Sequence, residues 1–387
     1  MTKAKERPIR FLKISSFKYL QPFDTTLFIC VLLLAFFGTI MVYSAGYAYA
    51  YARYNDAAYF IKKQTVWLCI GFVCMLIASR IPINAYKRLT PIFYCITLLL
   101  LLLVLIIGFV GNGARRWISI GPLTIQPSEI AKLVLILILS YYFSKNEARA
   151  FSKKRSENFI FGTFMPLAIM VAPITLVMLQ KHLSCIIILG CIGISMIVAS
   201  GINLRYIYAF GAMGISGVTA LALFTDYTKE RILVWRNPEA YKLTGGWQTL
   251  QGLMAIGSGG LFGVGFGKSV MKYCYVSEPA NDMIFAILCE ELGFFGAVIA
   301  LTLFFVLIIR GLIISIRSTD VFSRLVAFGI SVKMGIQVLL NVAVVTNTIP
   351  NTGISLPFFS YGGSSLIMLF FEMGILLSIS RQAKITK

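Results

Sequence analysis

Residues 25–43 read TTLFICVLLLAFFGTIMVY, an uncharged run of the length a helix needs to cross the ~30 Å hydrocarbon core of a bilayer. Similar runs recur along the chain. They predict ten spans, over roughly 24–45, 64–80, 90–110, 127–144, 159–178, 183–201, 205–224, 282–309, 323–346 and 361–380. Of the 387 residues 58% are hydrophobic and only 13% charged, with a mean hydropathy of +0.84; a soluble domain carries roughly 25% charged residues. The expected fold class is an all-α polytopic membrane protein, with residues 1–387 forming one integral domain. No soluble domain, linker or internal repeat is visible.

The net charge of +20 is an orientation signal. Lys3, Lys5, Arg7, Arg10, Lys13 and Lys18 place the 1–23 tail in the cytoplasm, and an even number of spans returns the 381–387 tail to the same side. The connectors holding Arg80/Lys87/Arg88, Lys145–Arg155 and Arg310/Arg317/Arg324 alternate accordingly. Basic charge of this kind attracts anionic lipid rather than nucleic acid. The segment before the first run is too long and polar for a signal peptide, so that run reads as an uncleaved helix. Seven cysteines (Cys30, Cys69, Cys74, Cys95, Cys185, Cys191 and Cys289) lie in or beside apolar runs, Cys274 lies in a loop, and His182 is the single histidine. With no C-x-x-C, neither a disulfide framework nor a zinc site is indicated.

Two connectors break the pattern. Residues 225–281 form an outward loop of about 57 residues, rich in Gly, Trp and Tyr, where 2–8 is usual between helices. Residues 347–360 are uncharged and interrupted by Pro350, Gly353 and Pro357; such backbone enters a membrane only where protein or water shields it.

Six ionisable residues fall at or near membrane depth: Glu129, Lys132, Glu290, Glu291, Lys333 and Glu372. Each costs ~2.5–3.5 kcal/mol on insertion scales, so they either line a functional path or form interhelical ion pairs. Glu129 and Lys132, three apart, share a helix face; the Gln126-Pro127-Ser128-Glu129 start makes a first-turn acid of Glu129 but leaves Lys132 unexplained. Arg115 and Arg116 beside Trp117 suit phosphate recognition or interfacial anchoring. Asp282 opens the eighth span, as a general base facing water and lipid headgroups or as a helix cap. Glu290 lies about 80° around that helix and ~12 Å deeper; a lone carboxylate at the mouth does not suit a paired-carboxylate hydrolase. Gly257 to Ser269 (GSGGLFGVGFGKS) resembles a nucleotide-binding P-loop, yet Phe262 stands where that pattern requires Gly. Its backbone N–H groups either cradle a pyrophosphate or pack the loop against the bundle.

Four segments in order, GARRWISIGPLTIQPSEIAKL (113–133), GWQTLQGLMAIGSGGLFGVGFG (246–267), NDMIFAILCEELG (281–293) and NTGISLPFFSYGGSS (351–365), resemble the SEDS family (shape, elongation, division and sporulation). The resemblance spans essentially the whole chain. It implies a glycosyltransferase that polymerises lipid II into β-1,4-linked glycan on the outer face of the cytoplasmic membrane, beside a class B penicillin-binding protein and other divisome or sporulation proteins. It places the essential acid at Asp282. Arg115, Arg116, Glu129, Lys132, Lys268, Glu278, Glu290, Ser360 and Tyr361 become candidate substrate-binding residues, and Mg or Mn is the one cofactor left open. Gly263-Val264-Gly265 and Ile354–Phe358 resemble the division and sporulation members. The segment Gln180–Cys185 departs from the family pattern, with His182 in place of an acid. Buried charge and broken spans also fit a lipid II flippase, and a scaffold for the transpeptidase is a third reading.

Overall fold

The computed structural model describes residues 23–111, 114–121, 123–150, 157–200, 226–243, 245–273 and 275–383. Among the described residues, eight helices are long and apolar enough to cross a membrane. They are α1 (Thr25–Tyr54), α2 (Tyr59–Arg80), α3 (Ile83–Ile107), α4 (Pro127–Lys145), α5 (Asn158–Leu179), α9 (Ile284–Arg317), α10 (Val321–Val345) and α11 (Gly363–Gln382). The shorter apolar α6 (Leu183–Ala199) accompanies them. The predicted seventh span, 205–224, lies outside the described residues, as do Cys274 and most of both tails.

The helix ends follow local chemistry. Asp24 caps α1, its carboxylate accepting from Leu27 N at 2.9 Å while also pairing with Arg310 of α9. Asn55 closes α1 in the left-handed conformation (φ 53°). Asp320 caps α10 through Ser323 N at 3.1 Å. Inside the bundle α4 is the most enclosed span, and α2 and α3 are the most exposed to lipid. On its inner face α2 meets α11 at close range: a Cβ on Gly374 would sit 2.6 Å from Met75 O, the approach small residues permit between membrane helices.

Three departures from the sequence-based picture bear on the site. Between α3 and α4 the chain forms a small antiparallel sheet: β1 (Phe109–Gly111), β2 (Ala114–Ile120) and β3 (Leu123–Ile125). Phe109 pairs with Trp117 and their rings stack at 5.7 Å. The long connector 225–281 contains helices α7 (Asp226–Arg236) and α8 (Gly246–Gly259).

The third departure lies in α9, which breaks at Gly293 (φ 66°, ψ −164°). The glycine-rich segment after α8 is spliced into that break. Val264 N donates to Glu290 O (2.9 Å) and Gly265 N to Glu291 O (3.1 Å), while Phe294 N and Phe295 N donate to Gly260 O and Leu261 O. These replace the helix's own i→i−4 bonds. A Cβ on Gly293 would sit 2.3 Å from Gly263 N, so the two strands of backbone touch. The P-loop-like segment therefore packs on the bundle. Two of the N–H groups considered for a pyrophosphate cradle are already bonded to the helix.

Candidate functional site

Within the uncharged connector 347–360, Ile354, Leu356, Phe358 and Phe359 are buried in the protein interior, as its lack of charge suggested. Ser360 holds this turn, accepting from Leu356 N (2.7 Å) and donating to Asn281 O (2.6 Å), and Tyr361 N donates to Ala280 O (2.8 Å). From α10, the buried amide of Asn341 donates to both Asp282 O (2.9 Å) and Ile354 O (2.6 Å). The backbone at Asp282 is thus pinned from two sides.

Asp282 itself does not cap α9. That helix starts at Ile284 after Met283, with no side-chain cap, which frees the Asp282 carboxylate. It lines a cavity of about 950 Å³ together with Arg231, Gln248 and Glu278. Gln248 Nε2 lies 3.4 Å from each carboxylate oxygen. Burial pushes the Asp282 pKa up to about 6, with some repulsion from Glu278, against the opposing effects of its own backbone N–H, then Gln248 and Arg231. A carboxylate so poised is ionised at neutral pH yet a far better proton acceptor than an ordinary one.

The cavity is also lined by Glu129 and Lys132 of α4, Arg116 and Trp117 of β2, and Lys62 and Lys63 of α2. Five basic and three acidic side chains line it in all, an excess of positive charge that suits a phosphate-bearing ligand. Lys132 and Glu129 pair at 2.7 Å. Arg116 also donates to Lys181 O at 2.8 Å. His182 lines the same cavity beside Ser128, 3.3 Å from its hydroxyl. Burial, then the nearby Arg116 charge, pushes its pKa down to about 3, so the ring is neutral at pH 7.

Of the residues singled out from the sequence, Asp282, Arg116, Glu129, Lys132, Glu278 and Tyr361 share this cavity. Four others do not line it, and each has a physical reason. Arg115 alternates to the other face of β2 and donates to Leu105 O at 3.1 Å. Lys268 stays in the glycine-rich segment, exposed. Glu290 is 1% exposed and is consumed by that same segment, accepting from Ser269 Oγ at 2.5 Å and Val270 N at 2.8 Å. Ser360 is spent on holding its turn. Lys62, Lys63, Arg231, Gln248 and Asn341 were not singled out. Asn341 carried a signal, an amide inside an apolar span that also holds Gln337; Gln248 lay inside the quoted segment 246–267 without being picked out, and for Arg231 no signal was present.

The remaining charges at membrane depth are paired. Lys333 meets Glu372 at 2.7 Å, and Glu291 meets Lys272 at 2.9 Å with Ser44 Oγ 2.6 Å away. Among the described residues no three His, Cys, Asp or Glu side chains converge. A divalent cation would therefore rest on one or two carboxylates plus substrate phosphates, a common arrangement for Mg²⁺.

Comparison with known proteins adds three relatives. A family model described as cell cycle protein, FTSW_RODA_SPOVE, matches residues 24–385. The stage V sporulation protein E of Bacillus subtilis is 39% identical over 364 residues, 93% of this chain and 98% of that protein. The probable peptidoglycan glycosyltransferase FtsW of Geobacter sulfurreducens is 36% identical over 370 residues, 95% of this chain and 97% of that one. Among solved structures, a chain from a study of how a peptidoglycan synthase complex coordinates polymerization and crosslinking superposes with a TM-score of 0.78 at 25% identity, covering 94% of this chain and 99% of its own.

Proposed function

The chain belongs to the FtsW/RodA/SpoVE family, and from that premise we infer a multi-pass peptidoglycan glycosyltransferase that works at Asp282. The observation that carries the assignment of the site is a half-buried carboxylate, raised to a pKa of about 6, at the wall of a 950 Å³ cavity with surplus positive charge. The substrate is lipid II. Asp282 takes the proton of the acceptor GlcNAc 4-hydroxyl as that oxygen attacks C1 of the donor MurNAc. The new C–O bond forms on the face opposite the leaving group. The C1–O bond to pyrophosphate breaks with its electron pair, and inversion yields the β-1,4 link. Arg116, Lys132, Lys62 and Lys63 lie where they meet the negative charge that grows on undecaprenyl pyrophosphate.

The alternating placement of Lys and Arg supports cytoplasmic termini and a site open to the outer face. Identity to both a sporulation protein and an FtsW supports a role in division or sporulation. The neighbouring synthase complex, which couples polymerization to crosslinking, supports a class B penicillin-binding protein as partner. The test is polymerisation of lipid II by the purified chain with its partner, wild type against Asp282→Asn. Glycan from the wild type alone is expected. Unchanged polymer from the variant removes Asp282 from the chemistry; lipid movement without polymer makes the protein a flippase, and neither activity leaves a scaffold.

A further inference from the structure

A second cavity of about 230 Å³ lies directly behind the first. Arg231, Gln248 and Asn351 line both, so the two cavities adjoin at these three side chains. They are bonded together: Asn351 Nδ2 donates to Gln248 Oε1 at 3.2 Å, Arg231 donates to Asn351 O, and Gln248 Nε2 reaches Asp282. Besides these three, the chamber is lined by Glu230, Val234, Trp235, Gly245 and Thr249. The indole of Trp235 is fixed by its own donation to Asn347 O at 3.0 Å.

This lining has a definite chemistry. An aromatic ring offers an apolar face for sugar C–H groups, while a guanidinium, a carboxylate, a hydroxyl and two amides supply the mixed donors and acceptors that ring hydroxyls and acetamido groups require. The volume is far above the ~10–15 Å³ that one water needs. Apolar side chains dominate most small-molecule pockets; here polar ones do, which favours a saccharide over a lipid tail.

We propose that the side chamber is a saccharide subsite, holding one hexosamine ring of the substrate next to the ring that reacts at Asp282. The proposal rests on Asp282 being the base of glycosyl transfer. Gln248 then touches both the base and the neighbouring sugar, so filling the chamber sets the position of the carboxylate. The ring belongs either to the incoming lipid II or to the growing strand, and the chemistry recognised is the same.

The test uses the full-length chain with its transpeptidase partner, the crosslinking site of the partner blocked by a β-lactam, and lipid II as probe. Glu230→Gln removes the carboxylate charge from the chamber rim; Thr249→Leu fills the interior. If the ring is part of the incoming unit, KM for lipid II rises about fivefold or more. If it is part of the strand, the polymer made at saturating lipid II shortens several-fold. Wild-type KM and wild-type chain length in both variants overturn the proposal. Should Thr249→Leu fail to elute as folded protein, Trp235→Phe replaces it under the same criteria. Asp282→Asn, run in parallel, separates the two levels: polymer from that variant defeats the base itself, whereas an inactive Asp282→Asn beside unaffected chamber variants defeats only the subsite.

Discussion

Lowering the pH from 7 to 5 perturbs Asp282 more than any other group placed in the chemistry. Its pKa is raised from 3.8 to about 6, chiefly by burial. The active form is the ionised one, so activity is present above about pH 6 and lost as pH falls through it. A base with this pKa is about nine-tenths ionised at pH 7 and about one-tenth at pH 5, which predicts a fall in kcat/KM of about tenfold. An ordinary aspartate would still be about nine-tenths ionised at pH 5 and would lose almost nothing. The assay is initial-rate polymerisation of lipid II, buffered from pH 4.5 to 8 and run below KM so that the free enzyme is read. Gln248→Leu removes the N–H groups that favour the charged carboxylate and should move the acidic limb upward. A limb near pH 4, a flat profile, or a downward move in Gln248→Leu would refute the link between burial and basicity.

Three other outcomes are expected. Lys272→Met strands the Glu291 carboxylate in a fully buried place and should cost about 3–5 kcal/mol, seen as early thermal unfolding in detergent, with Lys272→Met/Glu291→Leu recovering most of the loss; a double variant weaker than the single would contradict this. Gly293→Ala forces a Cβ against Gly263 N at a positive φ and should destabilise by about 2–4 kcal/mol, measured the same way. Arg116→Gln should leave the fold intact and lower kcat/KM about ten- to a hundredfold by removing charge from the leaving pyrophosphate; an unaltered rate takes Arg116 out of the site.

The spans among the described residues were legible because hydrocarbon imposes length and apolarity on each one, and α4, α9 and α10 start within a few residues of where the runs begin. The connector 347–360 was legible for the same reason, since uncharged, proline-broken backbone has few places to go. The partners of buried charge were not. Glu290 and Glu291 are adjacent in sequence, yet one is bonded by Ser269 and backbone N–H groups and the other by Lys272, and both sets come from a loop whose path no periodicity reveals. The sheet at 109–125 was missed because its strands are short and its hydrophobic alternation spans only a few residues. Gln248 was hidden differently: it sits within the quoted segment 246–267, but only the turn carrying Asp282 brings the carboxylate to it.

The break at Gly293 governs how the molecule is assembled. Taken alone, the bent helix would enter the bilayer with the carbonyls of Glu290 and Glu291 and the amides of Phe294 and Phe295 lacking partners, and each such group costs several kcal/mol in lipid. The glycine segment supplies all four partners. During biogenesis α9 must therefore cross as an unbent rod and buckle when the segment arrives, or the two must descend together as a single unit. On either route α9 takes its final shape only after a part of the chain synthesised earlier has come back to meet it.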